Sequence, residues 1–430
     1  MPLPETPNNP NAPEASEESN PPLRPRVLLY GYDYPDKIGG IERYIFLLAQ
    51  ALRNGKRFDP FIVCSHGTPF HRQVQQAGIP HATIPLEPGH RSIFATFNPW
   101  RYVCLWRILR QEKPALVHVH WGRVEHAFIR GLGFPVVYTF HSYGAPFNLS
   151  ICKPGPQRWL VQLTKPLFRA LVPHLNRLYF VSGAEQQRMI EEGFVPPNSS
   201  TQVMYNGVPL AAFRQQASHT DISALKQSVN IPPEASCVSF ICRLDTDKNA
   251  LAFLDLAERL LAESIKRKRP PLYFLVVGHG DQAPAFAQWQ AEHPQGSRMK
   301  LLGHQQQVAP WMAASDVTVS VSLQEGFGLR IVEAMACGAL PVSYAVGGIP
   351  EVLMGPETGT DLAHKLLVPP GNIEAMTQAV LALLDLSPAE RQQHLERLQR
   401  RADVFDYNRF LQHLEQAYQN VLAERSTQNR

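Results

Sequence analysis

Nowhere in the 430 residues is there a run of about 18 apolar side chains, the least a helix needs to cross a bilayer. The N-terminus has no basic stretch followed by an apolar one, so no secretory leader is expected and the reading is cytoplasmic. Cys-x-x-Cys pairs are missing, and the six cysteines lie scattered at 64, 104, 152, 237, 242 and 337. That argues against a structural zinc site and for reduced thiols rather than a disulfide framework. Also absent are a Gly-x-Gly-x-x-Gly dinucleotide motif, an internal repeat and a heptad array.

What is present is ordinary in amount and uneven in place. Hydrophobic residues make up 44% and charged residues 18%, the balance of a globular protein, and the length suggests two domains. Residues 1–22 are rich in Pro, Asn, Glu and Ser and read as a disordered tail. The net charge of +4 hides a split. Residues 1–206 hold 21 Lys and Arg against 14 Asp and Glu, and four of those acids lie in the tail, which leaves residues 23–206 near +11. Such a face suits an anionic membrane or a pyrophosphate-linked acceptor, although a solvated basic surface looks the same in sequence. No nucleic-acid motif accompanies it, so nucleic acid is not an expected partner.

Short apolar runs alternate with helical patterns along most of the chain. Arg26 to Gly31, Phe61 to Cys64, Ala82 to Pro85, Leu116 to His120, Val136 to Phe140 and Leu178 to Ser182 read as strands, with a helix from Pro99 to Glu112. This predicts a doubly wound parallel sheet, whose ligands bind beyond the C-terminal strand ends. Gly39-Gly40, His120-Trp121-Gly122, His141 to Gly144 and Ser182-Gly183 fall there. His118 and His120 share a strand face but lack a third ligand within reach, so a metal pair is not expected. The loop from Ser142 to Gln157 is long enough to be functional, and its aromatics, Tyr143 among them, suit a lipid-linked or glycan acceptor. After Tyr205-Asn206, residues 207–235 read as a linker with one short helix, and the alternation restarts at Cys237.

The second half holds the most specific stretch. A β-rich run ends at Ser322-Leu-Gln-Glu325-Gly326-Phe327-Gly328-Leu329-Arg330-Ile-Val-Glu333, then Ala-Met-Ala-Cys-Gly338-Ala-Leu-Pro341-Val342 and Gly347-Gly-Ile-Pro-Glu351. A strand, a glycine turn and a helix starting near Gly328 or Leu329 make an anion site, because amide groups and the helix dipole face negative charge there. Glu325 lies on the turn and Glu333 about one turn inside the helix. Carboxylates beside a phosphate cradle suit a nucleotide with hydroxyls.

This stretch resembles the retaining GT-B glycosyltransferases of family 4, whose two glutamates are separated by seven residues around a Gly-Phe-Gly turn. The likeness runs in order from about Val27 to about Tyr418. It implies two Rossmann-like α/β domains facing across a cleft: 23–206 on the acceptor side, 236–402 for the nucleotide sugar, and a helix in 403–430 packing back on the first. It implies transfer of a sugar from a nucleotide sugar, most often a uridine diphosphate sugar, to a hydroxyl of a glycan, lipid-linked or small-molecule acceptor. Arg243 and Lys248 would clamp the diphosphate and Glu333 the ribose. Glu325, Gly326 and the amides of Phe327, Gly328 and Leu329 would hold sugar and phosphate. Gly39, Gly40 and His141 would contribute from the first domain, and the segment at His304 would meet the base. His120, Trp121, Tyr143 and Arg330 are the acceptor-side candidates. No metal or other cofactor is expected, since two cations take the metal's place; Asp245-Thr-Asp247 reads as a turn. The family usually has Gly at Cys242 and Asn249 and an apolar residue at Arg330, yet neither glycine replacement removes a charge. Peripheral contact with the inner face of an anionic membrane stays open. So do two other readings: an epimerase or hydrolase of sugar nucleotides on this fold, and a non-catalytic sugar-nucleotide binder.

Overall fold

The computed structural model describes residues 24–428 apart from 32, 36–37, 87–97, 121, 123 and 142–155, and gives only the backbone of 156–161, 163–164 and 428. Two parallel sheets carry it. The first has β1 (Arg26–Tyr30), β2 (Asp59–Ser65), β3 (His81–Ile84), β4 (Leu116–Val119), β5 (Val136–Phe140), β6 (Arg177–Phe180) and β7 (Thr201–Val203). Their spatial order is β3-β2-β1-β4-β5-β6-β7. The second has β8 (Ser236–Ile241), β9 (Leu272–Val277), β10 (Met299–Gly303), β11 (Val317–Ser320), β12 (Leu340–Tyr344) and β13 (Leu367–Val368), in the order β10-β9-β8-β11-β12-β13. Most strands are continuous apolar runs because helices cover both faces of a parallel sheet. β7 is the one the sequence pattern does not signal: Thr-Gln-Val at a sheet edge, largely exposed, has too few apolar positions.

In the first domain α1 (Gly40–Gly55) and α2 (Pro69–Gln76) pack on one face. α3 (Pro99–Glu112), α4 (Glu125–Gly131), α5 (Pro156–Leu171) and α6 (Gly183–Glu191) follow, and buried residues of all four belong to the core of the other face. Residues 207–235 are more than a tether. They form α7 (Leu210–Ser218) and α8 (Ile222–Ser228), and Leu210, Phe213 and Ile231 enter the second core. The second domain adds α9 (Leu251–Lys266), α10 (Ala283–Glu292), α11 (Ala309–Ala313), α12 (Leu329–Cys337), α13 (Ile349–Leu353), α14 (Thr360–Leu366), α15 (Ile373–Leu384) and α16 (Pro388–Asp403).

The chain crosses between domains twice, and the two crossings touch. Val208 donates to the Phe405 carbonyl at 2.8 Å, and Tyr407 donates back to Val208 at 3.0 Å. Past that point α17 (Tyr407–Gln428) joins the core of the first domain through Phe410, Leu414, Ala417, Tyr418 and Val421. Its apolar positions recur at helical spacing, which is why it has a face to bury.

In each sheet the strand order reverses once, between β1 and β4 and between β8 and β11. The loops leaving two such neighbours diverge, opening a crevice at their C-terminal ends. The loops after β1 and β4 carry Gly39-Gly40 and His120, and those after β8 and β11 carry Arg243-Lys248 and Glu325.

Candidate active site

The second crevice is built by glycines that let backbones touch. A Cβ on Gly347, whose φ is +51°, would sit 1.6 Å from the Glu325 carbonyl oxygen. On Gly348 it would meet the Gly326 carbonyl at 2.6 Å and the Ser182 side chain at 2.8 Å. A Cβ on Gly278 would lie 1.8 Å from the Cys242 carbonyl oxygen. The turn of residues 325–328 is thus clasped by residues 347–348, and the Arg243 loop by the turn at 278–280. Gly328, at φ +101°, then starts α12. The first amides of that helix have no acceptor inside it, which leaves them for an anion.

Two cations reach these turns. Lys248 Nζ donates to Glu325 Oε1 at 2.5 Å, joining the loops of β8 and β11 across the reversal. Asn249, at φ +52°, holds that loop by donating its side-chain amide to the Val321 carbonyl at 3.1 Å. Asn is among the few non-glycine residues that tolerate this conformation, so the change from the family's usual Gly keeps the turn. Arg243 stays half exposed, with Nη1 at 3.1 Å from Asp245 and Nη2 at 3.5 Å from Asp247. Both aspartates therefore serve the arginine, and Asp245 also caps the turn by accepting from the Lys248 amide at 3.1 Å. Cys242 is pushed up to about 12 by burial and remains a neutral thiol beside Lys248 and Glu325. Arg330 lies at 2.5 Å from Glu333, one turn along α12, so its charge meets the second glutamate. Phe327 turns inward and packs against Tyr205 and Phe405, leaving its backbone at the turn. Leu329 is partly covered and His304 is exposed.

In the first domain three histidines stack behind the cleft. His118 shares a hydrogen bond with the Tyr418 hydroxyl at 2.6 Å and another with Thr139 at 2.7 Å. His120 Nδ1 lies 3.0 Å from His141 Nε2, and Tyr44 packs edge-on against both rings. Burial pulls His141 down to about 3, and holds His118 and His120 well below the usual imidazole range. All three are neutral at physiological pH. His120 is only 1% exposed. Expected on the acceptor side, it stands behind His141 instead, because it ends a buried strand. Trp121 and Tyr143, the other acceptor-side candidates of this domain, lie outside the described residues.

The paired glycines of the first crevice differ in kind. A Cβ on Gly39 would strike Glu42 Oε2 at 2.7 Å and the Tyr34 ring at 2.8 Å, because Glu42 folds back to accept from the amides of Gly39 and Tyr34. On Gly40 it would meet nothing within 4 Å. Among the described residues, Gly40 has open space beside it at the start of α1.

Two family models match this chain in succession. Residues 38–212 match Glycosyltransferase Family 4, and residues 235–386 match Glycosyl transferases group 1. The chain belongs to glycosyltransferase family 4. Among curated relatives of this family 4 enzyme, a phosphatidylinositol N-acetylglucosaminyltransferase subunit of Arabidopsis thaliana is 26% identical over 89% of this chain and 80% of its own length. The UDP-Gal:alpha-D-GlcNAc-diphosphoundecaprenol alpha-1,3-galactosyltransferase of Escherichia coli is 26% identical over 70% and 75%. Among solved structures, a glycosyltransferase from Rickettsia africae superposes with a TM-score of 0.74 at 18% identity, covering 93% of this chain and 99% of that one. HepE of Anabaena, solved in complex with UDP, gives 0.71 at 20% identity over 92% and 100%. The fold is GT-B.

Two residues of the family 4 enzyme join its halves at the site, and neither has a role that its local sequence assigns. Ser182, at the end of β6, donates to the Gly326 carbonyl at 2.7 Å. Glu351 accepts from the amides of Gly183 and Ala184 at 2.8 and 2.7 Å, and from the Tyr205 hydroxyl at 3.0 Å. Both stand in view, one at a strand end and one closing the Gly-Gly-Ile-Pro-Glu motif. What the sequence cannot display is that Glu351 meets Gly183 across 168 residues.

Proposed function

We propose that this family 4 glycosyltransferase moves a sugar from a UDP-sugar to a hydroxyl of a lipid-linked acceptor, with retention at the anomeric carbon and without a metal. The observation that carries the reading is the Lys248–Glu325 pair at the second crevice, set against the open amides of α12. In this reading the diphosphate lies over the start of α12. Lys248 and Arg243 turn from their carboxylates to its oxygens; the half-exposed pairs of Arg243 are worth only about 0–1 kcal/mol, while the more enclosed Lys248–Glu325 contact is replaced by one between Lys248 and the diphosphate. Arg243 offers a two-pronged donor and Lys248 a point charge, both aimed at the negative charge that grows as the sugar–oxygen bond breaks. Glu333 would bind the ribose after parting from Arg330, and Glu325 a hydroxyl of the sugar. His141, neutral, would hydrogen-bond the sugar from the first domain. The acceptor hydroxyl would attack from the leaving-group side and pass its proton to the departing phosphate oxygen. No carboxylate base is then required.

Support for UDP comes from HepE, solved with that nucleotide, and from the E. coli relative, whose donor is named as UDP-Gal. Support for a lipid-linked acceptor comes from the phosphatidylinositol and diphosphoundecaprenol named in two relatives. We place the enzyme at the inner face of a membrane, in peripheral contact. A thermal-shift screen against nucleotide sugars tests the donor, with a UDP-sugar expected to stabilise most. Lys248→Ala and Glu325→Ala should each lower turnover at least about a hundredfold while unfolding at a near-normal temperature. Full activity is expected in excess chelator; strict dependence on manganese would overturn the metal-free step. Free sugar or an epimer released without acceptor would instead identify a hydrolase or epimerase.

A further inference from the structure

We propose that the outer face of α3, with the helices beside it, is the surface by which this protein docks on an anionic lipid membrane. The inference deepens the functional reading above and rests on it only for the acceptor being lipid-linked. α3 is two-faced. Leu105 and Leu109 enter the core, and Arg101 turns inward to donate to the Tyr30 hydroxyl at 2.7 Å. On the opposite side, Trp100, Val103 and Trp106 are 55%, 37% and 40% exposed. Spaced three apart, they share one flank of the helix, and they contribute little to the fold. Arg107 lies over the Trp100 ring with its guanidinium carbon 5.8 Å from the centroid, and Arg110 over Trp106 at 5.7 Å.

The charge of the whole layer fits the same partner. α3, α4 and α5 are joined by the ring contacts Tyr102–Phe128 and His126–Phe168. Together these three helices carry seven Lys and Arg, of which Arg101 is turned inward, but only two carboxylates. Glu112 is taken by Arg26, while Glu125 is buried and accepts from the Val124 amide at 3.1 Å. Among the described residues, these helices present cations and no exposed carboxylate, with Leu167 of α5 a further exposed apolar side chain at 42%. Indole rings favour the depth of lipid headgroups, and the guanidinium groups beside them meet lipid phosphates at that depth. A neutral glycan would stack on the tryptophans but gain nothing from a surface cleared of acids. A nucleic acid would use the cations but not Val103 and Leu167.

The experiment is co-sedimentation of the full chain with phosphatidylcholine vesicles, and with vesicles in which about one lipid in three is phosphatidylglycerol. The chain should bind the anionic vesicles and bind neutral ones at least about tenfold more weakly. Arg107→Ala with Arg110→Ala should weaken anionic binding about thirtyfold, and Trp100→Ala with Trp106→Ala about tenfold. Both doubles should keep the wild-type unfolding temperature, as exposed positions do, and the same thermal shift with a UDP-sugar. Failure of the wild-type chain to sediment, or binding unchanged in both doubles, overturns the proposal. So does self-association that the tryptophan double abolishes, which would put a second copy on this face. Vesicle binding without any nucleotide-sugar shift would leave the surface standing and sink the donor assignment instead.

Discussion

At the level of single residues, the titratable groups of the first domain set a pH dependence. His141 is lowered by burial to about 3 and His126 to about 4; burial and histidine neighbours hold His118 and His120 down as well. In the unfolded chain each returns to about 6.5. Between those values the unfolded state binds more protons, so stability rises with pH there. The contribution is complete above 6.5 and is lost as the pH falls toward the folded values. Each histidine adds up to about 1.4 kcal/mol per pH unit within its window. Glu42 and Glu185, both raised by burial, act the other way near the carboxylate range and soften the slope. His126 is buried between Tyr138 and Phe168, without a hydrogen-bond partner on either ring nitrogen among the described residues. His126→Phe should therefore remove about one proton from the uptake on unfolding at pH 5. Uptake unchanged from the wild type would refute its burial as a neutral ring.

Glycines separate packing from function at this scale. Gly347→Ala forces a Cβ into the Glu325 carbonyl at a left-handed φ, so it should destabilise by about 2–4 kcal/mol and disorder the turn. Gly40→Ala meets open space and should leave the unfolding temperature within a degree or two. If donor phosphate lies against Gly40, activity or donor affinity in that stable variant falls nonetheless. Normal kinetics would remove Gly40 from the site. Such positions were legible in sequence as glycine pairs, but Gly39-Gly40 reads as two equals. Only the return of Glu42 onto the Gly39 amide tells the structural glycine from the free one.

Among elements, the contact that joins the domains is a carboxylate on a helix start. Glu351, from the beginning of α13, accepts from the first two amides of α6. Such a bond gains from the helix dipole and from the ionised acceptor, and its loss should cost about 1–3 kcal/mol. Glu351→Ala is expected to speed hydrogen exchange at the Gly183 and Ala184 amides by about tenfold or more while the second core stays protected. Equal exchange in variant and wild type would mean that the latch carries no load. Elements were the easiest level to read. The helix at Pro99–Glu112 and the strand at Val136–Phe140 lie where the periodicity puts them, because an apolar run or stripe must be buried by something. Residues 207–235 hold two helices where the sequence pattern suggests one, because a largely polar segment shows little of the few apolar residues, Leu210, Phe213 and Ile231, that it commits to a core.

For the molecule as a whole, α17 belongs to the first domain in space and to the second in sequence. Tyr418 is fully buried and its hydroxyl meets His118, which sits on β4 beneath the histidine stack of the cleft. Removing residues 407–430 should expose the core face of α1 and leave the first domain unfolded or aggregated. Tyr418→Phe, which removes only the hydroxyl, should cost about 1–3 kcal/mol, since the histidine nitrogen is left unpartnered. A truncated chain with an unchanged melting profile would contradict this assignment.

Local chemistry along the chain was enough to specify the two sheets, the turn at Glu325 to Gly328 and the family, since strand runs, glycine turns and one short motif are local signals. Partners separated by 77 to 300 residues, such as Lys248 with Glu325, Glu351 with Gly183 and Tyr418 with His118, became visible only once the chain had closed on itself. The same holds for His120, which is hidden behind His141, whereas Arg243 shares its charge with Asp245 and Asp247, two and four residues along its own loop. Spacing records which groups are available; which of them are satisfied, buried or left facing open space depends on contacts that no local pattern encodes.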